Sequence, residues 1–226
     1  RYRSSAASDV YKRQSYACVV HAMIQLARGA PLEEVREVIA RFSAETERLE
    51  LGKSVSIFSF LDNAVAALQG GLPALSDPDG PASEDATFQA AMGAGDHNLA
   101  AHRIIFQLMR RYLGGHLDAA LESVTQGDPL FITISGQAHA VTYSYFRALT
   151  LLASVARDGD TDGRLAQAEE AIAAFARHAV SAPMNYAHKH LLLCAEAHRA
   201  TGDELAALSG YEEAAACAEA VGALGD

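Results

Sequence analysis

Residues 188–214 read "HKHLLLCAEAHRATGDELAALSGYEEA", and the two halves of this stretch suggest different chemistry. Positions 188 to 198 hold three histidines, a lysine, a cysteine and a glutamate, side chains that bind metals and move protons. The remainder is a glycine turn followed by an alanine-rich amphipathic run. On a helix advancing about 100° per residue, His190, Cys194 and His198 line up at i, i+4 and i+8. Such a set spans about 12 Å of helix axis, whereas zinc holds each donor at roughly 2.0–2.3 Å. The three cannot share one ion, and the chain has no HExxH or paired CxxC motif to add ligands. Helix packing accounts for the same residues without further assumptions. Leu191, Cys194, Ala195 and His198 then face Ala207, Tyr211 and Ala214 of a second helix. Asn185 would cap the first helix, Gly202 would end it, and Asp203 would cap the second.

The same arrangement recurs upstream. Gly115 is followed by Ala120 and Val124, and Gly163 by Ala168 and Ile172, at the offsets that separate Gly202 from Ala207 and Tyr211. The glycine frees a tight turn, the alanine lets the second helix lie close, and the larger residue fills the gap one turn later. Stacked helix pairs of the tetratricopeptide type use this pattern. The glycines are 48 and 39 residues apart, against roughly 34 in a regular array, so the repeat is degenerate.

Composition agrees with packed helices. Alanine supplies 46 of the 226 residues and tryptophan is absent; alanine is the strongest helix former and permits close helix approach. Helical periodicity is expected over 32–50, 53–69, 97–113, 115–126, 136–156, 165–179, 185–200 and 203–221. In the first of these, Leu32, Val35, Val38, Ile39, Phe42 and Leu49 form the apolar stripe, with Pro31 near its start. Two segments resist the pattern. "GGLPALSDPDGPAS", 70–83, holds three prolines and reads as a long loop. "LFITIS", 130–135, has strand-like composition, but a lone strand would lack a pairing partner, so it reads as an extended connection or the strained start of the next helix.

Residues 4–14, "SSAASDVYKRQ", look like the conceptual translation of a transposase sequencing adapter, so 1–14 is expected to be an adapter-derived, disordered tail. The protein proper is then 15–226, a fragment of a longer reading frame. The whole chain carries −10; residues 1–14 contribute a net +3 (Arg1, Arg3, Lys12 and Arg13 against Asp9), which leaves −13 for the rest. An acidic chain repels nucleic-acid backbones, which argues against DNA or RNA as a partner. No stretch reaches the roughly 18 apolar residues of a membrane span, so no membrane insertion is expected. Cys18, Cys194 and Cys217 are too few and scattered for a disulfide framework, as suits a reducing cytoplasm.

The other chemical candidates are weaker. His97 and His102 of "GDHNLAAH" diverge by about 140° on a helix, and Asp96 reads as an N-cap. "RDGDTDGR", 157–164, places Asp158, Asp160, Asp162, Gly163 and Glu169 as in a calcium-hand loop, but Arg164, Leu165 and Ala166 add no carboxylate. No phosphate-binding glycine motif follows a strand. Neither a catalytic residue, a cofactor site nor a metal site is assigned.

Residues 182–222, "APMNYAHKHLLLCAEAHRATGDELAALSGYEEAAACAEAVG", resemble the helical-repeat region of large bacterial signalling proteins. Those proteins join a serine/threonine kinase-like domain, a STAND-type AAA ATPase, a tetratricopeptide-like stretch, and GAF and histidine-kinase modules. The residues that match are Pro183, Asn185, Tyr186, His188, Lys189, Leu192, Ala195, Glu196, Arg199, Gly202 and Asp203, followed by the Ala207, Tyr211 and Ala214 helix. "TYSYFRALTLLA" (142–153), "GHLDAALE" (115–122) and residues 32–57 are similar to that region's earlier helices. Cys194 departs from it, since glutamate is usual there, and so does the 70–83 loop. The resemblance implies an all-α, degenerate TPR-like superhelix. It would be a non-enzymatic scaffold in the cytoplasm, contacting proteins or adjacent domains of an ATP-binding parent. The repeat domain of a STAND-type transcription activator, or an independent helical enzyme or metal-binding domain, are the alternatives.

Overall fold

The computed structural model describes the backbone of residues 2–223 and the side chains of these except 2–9, 72 and 73. It is all-helical, with no strand among the described residues. Eleven α-helices follow one another: α1 Tyr2–Ala27, α2 Leu32–Arg48, α3 Gly52–Gln69, α4 Gly71–Leu75, α5 Ala82–Gly93, α6 His97–Leu113, α7 Leu117–Gly127, α8 Ala140–Asp158, α9 Arg164–Ser181, α10 Pro183–Ala200 and α11 Glu204–Ala220. A 3-10 turn, Asp128–Thr133, links α7 to α8. Most contacts join neighbours in sequence, supplemented by α3 with α6, α6 with α8 and α8 with α10. None of the described helices is long and apolar enough to cross a membrane.

Several boundaries differ from the sequence expectation. Residues 2–14, set aside as a tail, continue into α1. The stretch has no glycine or proline to stop a helix from propagating. Among its described side chains residues 10–14 are exposed, and burial starts at Ser15. The 70–83 segment is not all loop, since it holds α4 and the first residues of α5. Helix α5 itself escaped the periodicity reading because it buries little beyond Glu84 and Ala91. "LFITIS" forms the 3-10 turn and the residues after it, with Leu130 and Ile134 in the core and Ile132 exposed.

The apolar interior has two parts. One gathers α1, α2 and α3 around Val19, Val35, Ile39, Phe58 and Leu61. The other runs from α5 through α10 around Ile104, Leu108, Tyr143, Leu152 and Phe175. Helix α6 belongs to both: Phe106 and Met109 face the first, Ile104, Ile105 and Leu108 the second. Every residue from Ala100 to Arg111 is buried, so this helix has no solvent-facing side along that stretch.

Three arginines and a histidine are among those buried residues, and a charge in such a place needs a partner. Arg110 meets Glu84 in a two-pronged pair at 2.8 and 3.2 Å, with side chains 3% and 1% exposed. Asn63 Nδ2 donates to the same carboxylate at 2.9 Å. Arg103 donates to Asp85 and to Gln107, and lies over the Phe88 ring. Arg111 donates to the Pro78 carbonyl at 3.0 Å, the Ala119 carbonyl at 2.8 Å, Ser123 Oγ at 2.9 Å and Asp79 at 2.8 Å. The proline-rich segment is therefore tied to α6 by its own carbonyls and carboxylates. Gly80 has a positive φ of 71°, and a Cβ there would collide with the Arg110 guanidinium.

Breaking a buried pair from one side leaves an uncompensated charge. Arg110→Ala should therefore lower the unfolding free energy by about 3–5 kcal/mol in urea denaturation. The double change Arg110→Met with Glu84→Leu removes both charges and should recover most of that loss.

Candidate interaction surface

The hairpin formed by α10 and α11 carries the residues that the sequence singled out. Pro183 occupies the first turn of α10, where its missing N–H costs nothing. The cap position is Ala182, with no side-chain bond, and Asn185 lies exposed inside the first turn instead of capping it. Gly202 turns the chain with φ 83°, and the Asp203 side chain accepts from Ala206 N at 3.1 Å, a true N-cap. The earlier turn glycines, Gly115 and Gly163, share the positive φ, and the alanines after them, Ala120 and Ala168, are fully buried like Ala195 and Ala207 here.

The packing face of α10 differs from the expected one. Leu193 and Ala195 are the buried residues, whereas Leu191 and Cys194 are half-buried and the His198 side chain is 50% exposed. The register is set by Ala195 lying against Gly210, where a Cβ would stand 2.9 Å from the Ala195 Cβ. Two large residues on one turn cannot occupy so close a crossing. Ala207, Ala214 and Ala218 line the facing side of α11. Tyr211 is half-buried and donates to Glu196 Oε1 at 2.8 Å, while Arg199 Nε donates to Glu196 Oε2 at 2.9 Å. Those three side chains join the two helices by a polar edge.

His188 and Lys189 point elsewhere. Lys189 Nζ donates to the Ala27 carbonyl, the last residue of α1, where unpaired carbonyls favour a cation. Burial pushes the Lys189 amine down to about 8. His188 is half-buried with an unpartnered Nδ1, and burial lowers its pKa as well. Close by, Gly29 lies against Ala223, where a Cβ would sit 2.5 Å from the Ala223 carbonyl oxygen. The α1–α2 turn thus meets both α10 and the residues after α11.

The metal candidates do not converge. His190 Nε2 and Cys194 Sγ are 3.5 Å apart, and burial raises the thiol, which disfavours the thiolate a metal needs. His97 is exposed while His102 is fully buried. In the 157–164 turn Asp158 is held by Arg157 and Asp160 accepts from Leu165 N. Among the described residues no three His, Cys, Asp or Glu side chains are grouped to hold a metal ion.

A groove of about 720 Å³ lies between α2 and α3. Its walls carry Glu33, Glu37, Glu47 and Asp62, with exposed Ala40 and half-buried Val55 lining it below, above the buried Ile39. Arg36, on the same wall, is already bonded to Asp62 and Gln69, each at 3.2 Å. The groove is therefore acidic with an apolar floor. Glu33, Glu37 and Glu47 lie off the apolar stripe of α2, and the recess they border exists only because α3, with Asp62, packs beside it.

No protein-family profile, curated protein or solved structure matches this chain.

Replacing Gly210 tests the α10–α11 crossing. Alanine at an ordinary helical site gains about 1 kcal/mol over glycine, while overpacking costs about 1–3 kcal/mol. The clash with Ala195 should win, so Gly210→Ala should lower the thermal midpoint. Adding Ala195→Gly should restore part of it.

Proposed function

We propose that this chain is a non-catalytic helical scaffold making protein–protein or interdomain contacts within a bacterial ATPase/kinase signal-transduction protein. The fold on this reading is a degenerate tetratricopeptide-like superhelix, and the location a reducing cytoplasm, in keeping with three free cysteines. The observation that carries the reading is the α10–α11 hairpin, which nests Ala195 against Gly210 and buries Ala207 in the segment where the family resemblance is most specific. The positive-φ glycines and buried alanines of the earlier pairs support it.

The contact surface proposed is the α2–α3 groove, and its occupant is a positively charged amphipathic helix of a partner protein. Charge sets the sign of that partner: the carboxylates border an apolar floor in a chain of net charge −10. Basic side chains would pair along the rim while apolar ones fill the floor, as in helix-in-groove recognition.

Fluorescence anisotropy with a labelled amphipathic Lys/Leu peptide and its Glu/Leu counterpart tests this. The basic peptide should bind and weaken with added salt. Glu37→Lys with Glu47→Lys, both at exposed positions, should cut affinity by about tenfold or more. Equal binding of the two peptides, or indifference to the charge reversals, would overturn the groove as the contact surface.

A further inference from the structure

His102 on α6 and His139 at the cap position of α8 are stacked in the interior, 0% and 2% exposed, with ring centroids 4.2 Å apart and planes tilted by 46°. Such burial is unusual for two titratable rings, and buried polar atoms ordinarily have partners. Here most do not. His102 Nδ1 lies 2.7 Å from the Asn98 carbonyl, so this nitrogen carries the hydrogen and donates it. His102 Nε2 and both nitrogens of His139 have no partner. The pair thus forgoes three hydrogen bonds, and it accounts for three of the buried unpartnered side-chain nitrogens of the described residues.

The surroundings favour two neutral rings: the Asn98 carbonyl and Asp96 lend a charged His102 some support, but burial outweighs both. The ionisable groups near the pair are Lys53 on α3, Asp96 at the cap of α6, and Tyr16 on α1 behind Gln137. Lys53 and Asp96 are bonded to each other at 2.7 Å, and Asp96 also accepts from Leu99 N, so its charge is already engaged. The 3-10 turn contributes the Thr133 carbonyl, which accepts from Asn98 instead. His139 sits at the positive end of α8, where a further positive charge is disfavoured. A proton on either ring would also face the other ring across the stack.

We propose that the His102–His139 stack is an acid-sensitive latch, whose protonation opens the seam between α6 and the start of α8. That seam links the two halves of the interior. Tyr16 of α1 donates to Gln137 just before α8, and Lys53 of α3 reaches the start of α6, so opening it loosens α1 and α3 from the second core. The latch needs no ligand: a proton taken up by imidazole nitrogen is the whole event.

The sign follows from linkage. Burial lowers His102 to about 4 and His139 to about 3 in the folded chain, against an ordinary 6.5. Because the unfolded or opened form binds protons first, the closed form is fully favoured above pH 6.5. It loses stability as pH falls from there toward the folded values. Each ring contributes on the order of a tenfold fall in the closed-to-open ratio per pH unit below about 6.

Urea unfolding of the full chain between pH 7 and pH 5, compared with His139→Phe and His102→Gln made singly and together, tests the latch. The wild type should lose on the order of a hundredfold or more in its folded-to-unfolded ratio over that range, each single variant clearly less, and the double variant least. His188 is unchanged in all four proteins, so its contribution cancels from the comparison. Should the variants fail to fold, NMR titration of the wild-type imidazole protons decides. Two histidine signals should stay neutral to below pH 5, or move only with loss of the α6–α8 contacts. Equal pH slopes in the wild type and double variant, or both rings titrating near 6.5 in an intact fold, would overturn the proposal.

Discussion

The fold depends on a helix that has nowhere to meet water. From Ala100 to Arg111 helix α6 is enclosed on all sides, so both halves of the molecule must supply what its side chains need. The apolar residues are satisfied by two cores at once. The arginines set the stricter condition, because an unpaired guanidinium in that position would cost several kcal/mol. That condition explains the route of residues 76–85, which bring the Pro78 carbonyl, Asp79, Glu84 and Asp85 to the three arginines. A segment that reads as a long loop is pinned to α6 by these bonds. Its Asp77 side chain adds an internal turn by accepting from Asp79 N at 3.1 Å.

The second organising feature is the small-residue crossing. Glycine turns followed by buried alanines recur at α6–α7, α8–α9 and α10–α11, so these three crossings share one local device. The first three helices do not use it. Helices α1 to α3 pack through Val19, Ile39, Phe58 and Leu61, which are large side chains. The two construction styles meet twice, once along α6 and again where Lys189 and Ala223 touch the α1–α2 turn. With its two ends in contact, the stack differs from an open spiral in which each pair touches only its neighbours.

How much of this was legible in the sequence varied with the kind of signal. Most helix positions, α4 and α5 excepted, followed from local periodicity, and Asp96 and Asp203 cap α6 and α11 as read. Features set by distant partners were not legible. Asn185 looked like a cap because its type favours that role, yet Pro183 starts the helix earlier. His198 shared a stripe with Ala195, but the crossing at Gly210 rotates the buried face toward Leu193. Nothing local to Arg103, Arg110 and Arg111 says that Glu84, Asp85 and Asp79 will fold over them. The acidic groove and the His102–His139 stack were hidden for the same reason: each needs two helices to exist.

The two buried polar clusters on α6 make opposite use of one environment. Arg110 and Arg111 lie in its last turn, where the helix dipole favours cations, and carboxylates and carbonyls complete their bonding. Their bonds to Glu84, Asp79 and the Pro78 carbonyl hold the proline-rich segment in place. His102 lies toward the other end of the same helix, facing an imidazole at the start of α8, with no carboxylate free to receive a proton. That environment is stable only for the neutral ring. A guanidinium could not have been placed there, and an aliphatic residue would have filled the space with fewer orphaned nitrogens. Histidine is the side chain whose charge depends on pH in the physiological range, so its use on both sides of this seam makes the α6–α8 contact conditional while the arginine side of the helix remains fixed.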